Sequence, residues 1–223
     1  MEIREINLEA DKTLSDREDE LLSLEGLAEF AETYPKGYED KFELKYYSDF
    51  FCCADFRFHV SGADVLARER KEGDALYLAC AFGHGVKLLE ALGFDAKGID
   101  IVSFYVGECR KRGLDVAVDD ALELKFPDES FDVTVSKDFL RYDYISMDKI
   151  LMCLYEQFRV LRKGGIAVAY SMLHDSPGSN LFTRTDSQKL PVSVIKSLPF
   201  RELRRYTIDY EGYVKRFVDV FEK

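Results

Sequence analysis

The chain has 223 residues, 47% of them hydrophobic and 33% charged, a length and balance that fit one domain with a substantial core plus an extension. Its net charge of −11 is uneven: residues 1–44 hold fourteen Asp and Glu against five Lys and Arg, and the remainder is close to neutral. An acidic end of this kind repels polyanions, so nucleic acid is disfavoured as a partner. No apolar run reaches membrane-spanning length and the acidic N-terminus does not resemble a signal peptide, so a cytoplasmic protein with no membrane association is expected.

Ser15-Asp16-Arg17-Glu18 has the spacing of a capping box, and Leu21, Leu24, Leu27, Ala28 and Ala31 follow at helical intervals until Pro35. A helix over 15–34 is therefore expected. Residues 42–58 are dense in aromatics, among them Tyr46, Tyr47, Phe50 and Phe51. They serve either as packing or as a lid over a pocket. Residues 1–73 read as an N-terminal helical extension, and 74–223 as the main domain.

From residue 74 strands and helices alternate. "ALYLA" (75–79), "DAKGID" (95–100), "LDVAV" (114–118), "FDVTVS" (131–136) and "GGIAVAYSM" (164–172) read as strands. Helices are expected after Gly85, over 103–112, and over about 146–162. Such alternation implies β-α-β units and a parallel sheet covered on both faces. "ELRRYTI" and "YVKRFVDVF", separated by the turn "DYEG" (209–212), add a terminal antiparallel hairpin.

Five scattered cysteines (52, 53, 80, 109 and 153) and three separated histidines give no metal spacing, so no metal site is expected. In an open α/β sheet a ligand lies at the carboxyl ends of the strands. Those ends carry "ACAFGHG" (79–85), Asp100, Asp119-Asp120-Ala121 and Ser136-Lys137-Asp138. Asp100 can accept from both hydroxyls of a ribose, or it can simply cap the helix starting near Ser103. Asp120 can accept from an exocyclic amine. A dinucleotide dehydrogenase is disfavoured, because Gly83-His84-Gly85 is followed by Val86, Lys87 and Leu88, without the third small residue of that fingerprint.

Taken in order, "ALYLACAFGHGVKLLEALGFDAKGID", "VDDALELKFPDESFDVTVS" and "EQFRVLRKGG" resemble the successive motifs of class I S-adenosylmethionine-dependent methyltransferases of the small-molecule type. The resemblance covers about residues 74–171. It implies a Rossmann-like, seven-stranded, mostly parallel sheet ending in the antiparallel hairpin, with helices on both faces. It also implies S-adenosyl-L-methionine as cofactor and direct transfer of a methyl group to a small-molecule acceptor.

Residue by residue, the resemblance sets Ala79, Cys80, Ala81 and Gly83 against the methionine part of the cofactor. Asp100 falls at the ribose, Ile101 on the adenine, and Asp120 and Ala121 at the adenine amine. Ser136 and Lys137 face the methionine and the acceptor pocket. Arg159 and Gly164-Gly165 match structural positions. The chain departs from the family where Tyr77 replaces an acid and Ala79 and Ala81 replace glycines. The alternative implied by those departures is a methyltransferase-like binding or partner protein without catalysis. No residue is singled out as catalytic; His84, His174, Asp138, Tyr46 and Tyr47 are the candidate bases.

Overall fold

A computed structural model describes residues 1–9, 65–66, 68–69, 72–137, 146–172, 192–210 and 214–223. In chain order the elements are β1 (Glu2–Glu9), β2 (Gly73–Leu78), α1 (His84–Ala91), β3 (Phe94–Asp100), α2 (Ser103–Lys111) and β4 (Val116–Val118). There follow β5 (Phe131–Lys137), α3 (Met147–Val160), β6 (Leu161–Met172), α4 (Val192–Ser197), β7 (Glu202–Tyr210) and β8 (Val214–Glu222).

The strands form one eight-stranded sheet in the order β1-β7-β8-β6-β5-β2-β3-β4. Among the described strands only β8 runs against the rest, pairing antiparallel with β6 and β7. The expected mostly parallel sheet with a terminal hairpin is therefore observed. From β2 the chain steps outward through β3 to β4, then returns to the other side of β2 as β5. The reversal at β2 and β5 opens a crevice at their carboxyl ends.

The strand count differs from the expected seven. Residues 2–9 add an eighth strand, paired parallel with β7 from Glu2–Glu202 to Glu9–Asp209. Ile3 and Ile6 have helical rather than alternating spacing because each serves a different face: Ile3 packs on one core cluster and Ile6 on the other. Charges protect this edge strand, with Arg4 paired to Glu2 at 2.8 Å and to Glu202 at 3.1 Å. The expected helix at 15–34 and the aromatic stretch at 42–58 lie outside the described residues.

Alternation along β2 assigns the two faces. Ala75 and Tyr77 join Val86, Leu88 and Leu89 of α1 and Val106 and Cys109 of α2 in one cluster. Leu76 and Leu78 join Ile150, Cys153 and Leu154 of α3 in the other. Helix α3 buries Ile150, Cys153, Leu154, Gln157 and Val160, a stripe at helical spacing. Its one buried amide is satisfied, since Thr134 donates its hydroxyl to Gln157 Oε1 at 2.9 Å.

The hairpin carries a buried ion pair across its register. Arg205 donates from Nε and a terminal nitrogen to both oxygens of Asp219, each at 2.6 Å. Arg159, at the end of α3, bonds Glu156, Asp128 and the carbonyls of Leu124 and Phe126. It fixes the turn that leads into β5, a structural role.

Candidate cofactor site

The turn from β2 into α1 is held from several directions. Cys80 donates its N–H to the Ile99 carbonyl at 2.9 Å, and Gly83 donates to the Cys80 carbonyl at 2.8 Å. Asp100 Oδ2 accepts the Ala81 N–H at 2.9 Å. The thiol of Cys109 bonds the Ala81 carbonyl at 3.2 Å, and Arg112 donates to the Phe82 carbonyl at 3.0 Å. Phe82 is nearly buried and meets the ring of Tyr105 edge-on at 4.7 Å.

That network matters because the loop has an unfavourable backbone. Ala79 and Ala81 sit at φ 51° and 45°, and Gly83 at 82°. A left-handed alanine costs about 1–2 kcal/mol, a conformation that persists only when its surroundings over-determine it. The two positions where family members carry glycine are thus positions where glycine would be relaxed. Ala79→Gly and Ala81→Gly should each raise stability by about 0.5–1 kcal/mol in urea unfolding, relief of strain being partly offset by the entropy of the unfolded chain.

Gly83 cannot follow the opposite course. A Cβ there would fall 2.3 Å from Leu114 Cδ1 and 2.9 Å from Cys109 Sγ, in addition to the strain of its positive φ. Tyr77, at the position of the family's acid, is buried, and its ring lies against the backbone of Gly85. It packs beneath α1 in the apolar cluster.

The β3 end supplies Asp100, which is buried and engaged at both oxygens. Besides the Ala81 bond, Oδ1 accepts the Val102 N–H at 2.9 Å. It does not cap Ser103: α2 has Val102 at its N-cap and no side-chain capping bond. Burial pushes its carboxyl above the usual carboxylate range, and backbone N–H groups, including that of Ile101, pull it back down. Asp100 organises the loop while keeping spare lone pairs for a ligand.

Beyond β4, Asp119 and Asp120 divide their work. Asp119 is buried and accepts the N–H groups of Asp120 and Lys125, each at 3.0 Å. Asp120 is exposed and closes a short turn by accepting the Leu122 N–H at 2.9 Å.

These elements enclose a cleft of about 230 Å³, lined by Ala79, Ile99, Asp100, Ile101, Asp119, Asp120, Ala121, Leu122 and Lys149. Five of the residues expected at the cofactor line it together: Ala79, Asp100, Ile101, Asp120 and Ala121. Cys80, Ala81 and Gly83 do not line it; they belong to the turn that leads from β2 into α1. Ser136 and Lys137 are placed at the end of β5, where Ser136 is the register partner of Leu78, one residue before the cleft. Lys149 was not foreseen. It comes from the first turn of α3, 49 residues beyond Asp100, and no motif marks it.

Two observations bear on whether the expected cofactor fits here, one in the cleft and one at the neighbouring end of β5. Ile101 is 68% exposed although it directly follows a core strand, with Val102 and Val118 also exposed nearby. Ser136, 1% exposed, has a hydroxyl with no hydrogen-bond partner among the described residues. A nucleoside carrying a polar chain would cover the first and could satisfy the second, so the residues present fit the expected cofactor. Among the described residues no cluster of His, Cys, Asp and Glu could hold a metal ion.

Of the candidate bases, only His84 is described. It is buried at the first position of α1, and its pKa is lowered to about 3 by burial, with the charges of Arg112 and Lys137 adding to the effect. The imidazole is therefore neutral at physiological pH. In the unfolded chain it titrates near 6.5, so stability present above that pH is lost as pH falls towards 3. The loss from this group should reach about 2 kcal/mol at pH 5 relative to pH 8. Urea unfolding at the two pH values, with His84→Gln as comparison, measures it; an equal pH dependence in both proteins would contradict the assignment.

The comparisons with known proteins agree with this geometry. Residues 76–169 match the family model described as a methyltransferase domain. No curated protein matches the chain in sequence. Among solved structures, an S-adenosylmethionine-dependent methyltransferase from Archaeoglobus fulgidus superposes with a TM-score of 0.60 at 16% identity, covering 82% of this chain and all of that one. A protein from Pyrococcus horikoshii gives 0.57 at 18% identity, covering 87% and 98%. A Thermotoga maritima protein described as a possible histamine N-methyltransferase gives 0.56 at 18% identity, covering 83% and 98%. Residues 76–169 are thus similar to a methyltransferase domain, and the motif order and the switch-point cleft accord with that likeness.

Proposed function

We infer that this enzyme, in the cytoplasm, transfers the methyl group of S-adenosyl-L-methionine directly to a small-molecule acceptor. The observation that carries the reading is the cleft itself, where Asp100, Asp120 and the exposed Ile101 converge at the strand-order reversal. Asp100 would receive the ribose hydroxyls and Ile101 would cover one face of the adenine. Asp120 and Ala121 would meet its amino edge. Cys80, Ala81 and Gly83 would present backbone to the methionine portion, with Ser136 and Lys137 between it and the acceptor.

When bound, the cofactor supplies a methyl group on a positively charged sulfur, already activated for in-line displacement. The protein's share is then positioning and exclusion of water. Asp100 fixes the loop through the Ala81 N–H, so the groups facing the ligand are set before it arrives. The buried Ser136 hydroxyl is a donor and acceptor at the end of the central strand β5. His84 is not suited to remove an acceptor proton, being buried at the first position of α1.

A small acceptor is supported by the net charge of −11, which disfavours nucleic acid, and by the small-molecule substrate in the name of the Thermotoga maritima neighbour. Among the described residues no helix is long and apolar enough to cross a membrane. The thiols of Cys80, Cys109 and Cys153 are free, as in a reducing compartment.

The test is transfer of labelled methyl from S-adenosyl-L-methionine to a panel of small amines, phenols and carboxylates, beside tRNA and protein mixtures. Label in a small acceptor is the expected result. Label confined to a macromolecule would overturn the acceptor class. Cofactor binding without transfer to any of them would favour the non-catalytic alternative.

A further inference from the structure

The cofactor loop rests on two sulfurs. Cys80 lies in the loop and Cys109 in α2, 29 residues apart, and both are buried. Their Sγ atoms converge on one oxygen, the Ala81 carbonyl, at 3.9 Å and 3.2 Å. Two glycines make room for them. A Cβ on Gly83 would stand 2.9 Å from Cys109 Sγ, and one on Gly98 would stand 3.0 Å from Cys80 Sγ.

The two thiols differ in chemistry. The neighbouring Cys80 thiol stabilises ionised Cys109 and draws its pKa down, with the nearby Arg112 guanidinium adding to this against burial. The thiol of Cys80 is pushed up by the Cys109 sulfur and by burial. Cys109 is therefore the sulfur that ionises first and reacts first. Cys153, also buried, has no such neighbour: its sulfur meets the amide of Gln157 at 3.5 Å, and burial pushes its thiol up to about 12.

We propose that Cys80 and Cys109 are a redox modification site, forming a reversible disulfide that ties the oxidation state of the protein to the posture of the cofactor loop. Hydrogen peroxide is a sufficient oxidant. The Cys109 thiolate attacks one peroxide oxygen to give a sulfenic acid, and the departing hydroxide takes up a proton as water. The Cys80 sulfur then attacks that sulfenic sulfur, forming the S–S bond and releasing a second water. Two thiols are oxidised and one peroxide is reduced to two waters.

The bond would act on the site directly. It removes the S–H that Cys109 gives to the Ala81 carbonyl and draws residue 80 towards α2. Ala79 and Ala81, on either side of Cys80, already hold left-handed backbone that depends on those ties. A shift there moves the Ala81 N–H away from Asp100. The expected result of oxidation is weaker cofactor binding, a consequence that rests on the cofactor assignment above, whereas the disulfide itself does not.

The experiment treats the full chain with hydrogen peroxide, alkylates remaining thiols under denaturing conditions, and maps peptides by mass spectrometry. The expected map shows a cross-linked peptide pair joining Cys80 to Cys109, short by two hydrogens and absent after dithiothreitol. Calorimetry should show S-adenosylhomocysteine bound about tenfold more weakly by oxidised than by reduced protein, and restored on reduction. The ratio of affinities should fall to one in Cys109→Ser and persist in Cys153→Ala.

Full alkylation of Cys80 and Cys109 after peroxide overturns the disulfide. A cross-link that leaves the affinity ratio at one overturns the coupling. If reduced protein takes up no S-adenosylhomocysteine, the cofactor reading fails and the coupling fails with it. The peptide map then still decides whether the disulfide forms.

Discussion

Asp100→Ala should weaken S-adenosylhomocysteine binding by about tenfold or more in calorimetry, a loss of at least ~1.4 kcal/mol. Its carboxylate stands at the carboxyl end of β3, lines the cleft, and has lone pairs beyond those given to Ala81 and Val102. The same change leaves two backbone N–H groups without their acceptor, so stability should fall by about 1–3 kcal/mol. Asp100→Asn separates the roles. The amide keeps one acceptor oxygen and the side chain's volume, so the loop loses less, while the charge-assisted bonds to a ribose are gone. Affinity should therefore fall in Asp100→Asn with a smaller change in unfolding free energy than in Asp100→Ala. Unchanged affinity in both would refute the ribose assignment.

The sheet was legible wherever one residue pattern served one environment. β2 and β5 are short, largely apolar runs because both their faces are covered, and they, like β3, were placed within two residues of the observed bounds. The hairpin could be read from the alternation in 202–208 and 213–221, because its two faces meet different surroundings. β1 could not be read this way. It is an edge strand with one isoleucine for each face, and Glu2 and Arg4 answer to charge partners rather than to a core. Its pairing also joins residues about two hundred positions apart, a relation no local pattern carries.

The cleft divides along the same line. Asp100, Asp120 and Ala121 were legible because they stand at or just after strand ends, which face the ligand in an α/β sheet, whereas Ile101 came only from the resemblance. Lys149 was not, since its place depends on how α3 crosses the sheet. The role of Tyr77 was half legible. The sequence shows that an acid is replaced, but only packing shows that the ring occupies the space under α1.

That packing predicts the second large effect. Alanine in a helix is ordinarily about 1 kcal/mol more stable than glycine, so Gly85→Ala, early in α1, would be stabilising in an open site. Here the added Cβ would stand 2.0 Å from Tyr77 Cε2 and 2.2 Å from Cζ. Neither the strand backbone below nor the helix above can yield freely, so Gly85→Ala should destabilise by about 3 kcal/mol or more. Tyr77→Ala should cost about 3–5 kcal/mol by opening a cavity. The double variant should cost clearly less than the two together, because the alanine methyl then enters the space the ring has left; urea unfolding of the four proteins measures that coupling. Additive losses would show that the ring and Gly85 do not share the space. Restoring a family-like acid by Tyr77→Asp should lower stability by several kcal/mol, since the carboxylate would be buried in an apolar cluster. It should bring no gain in S-adenosylhomocysteine affinity. A folded Tyr77→Asp protein that binds more tightly would mean that position 77 faces the ligand, and that tyrosine there reduces binding instead of supporting the helix above it.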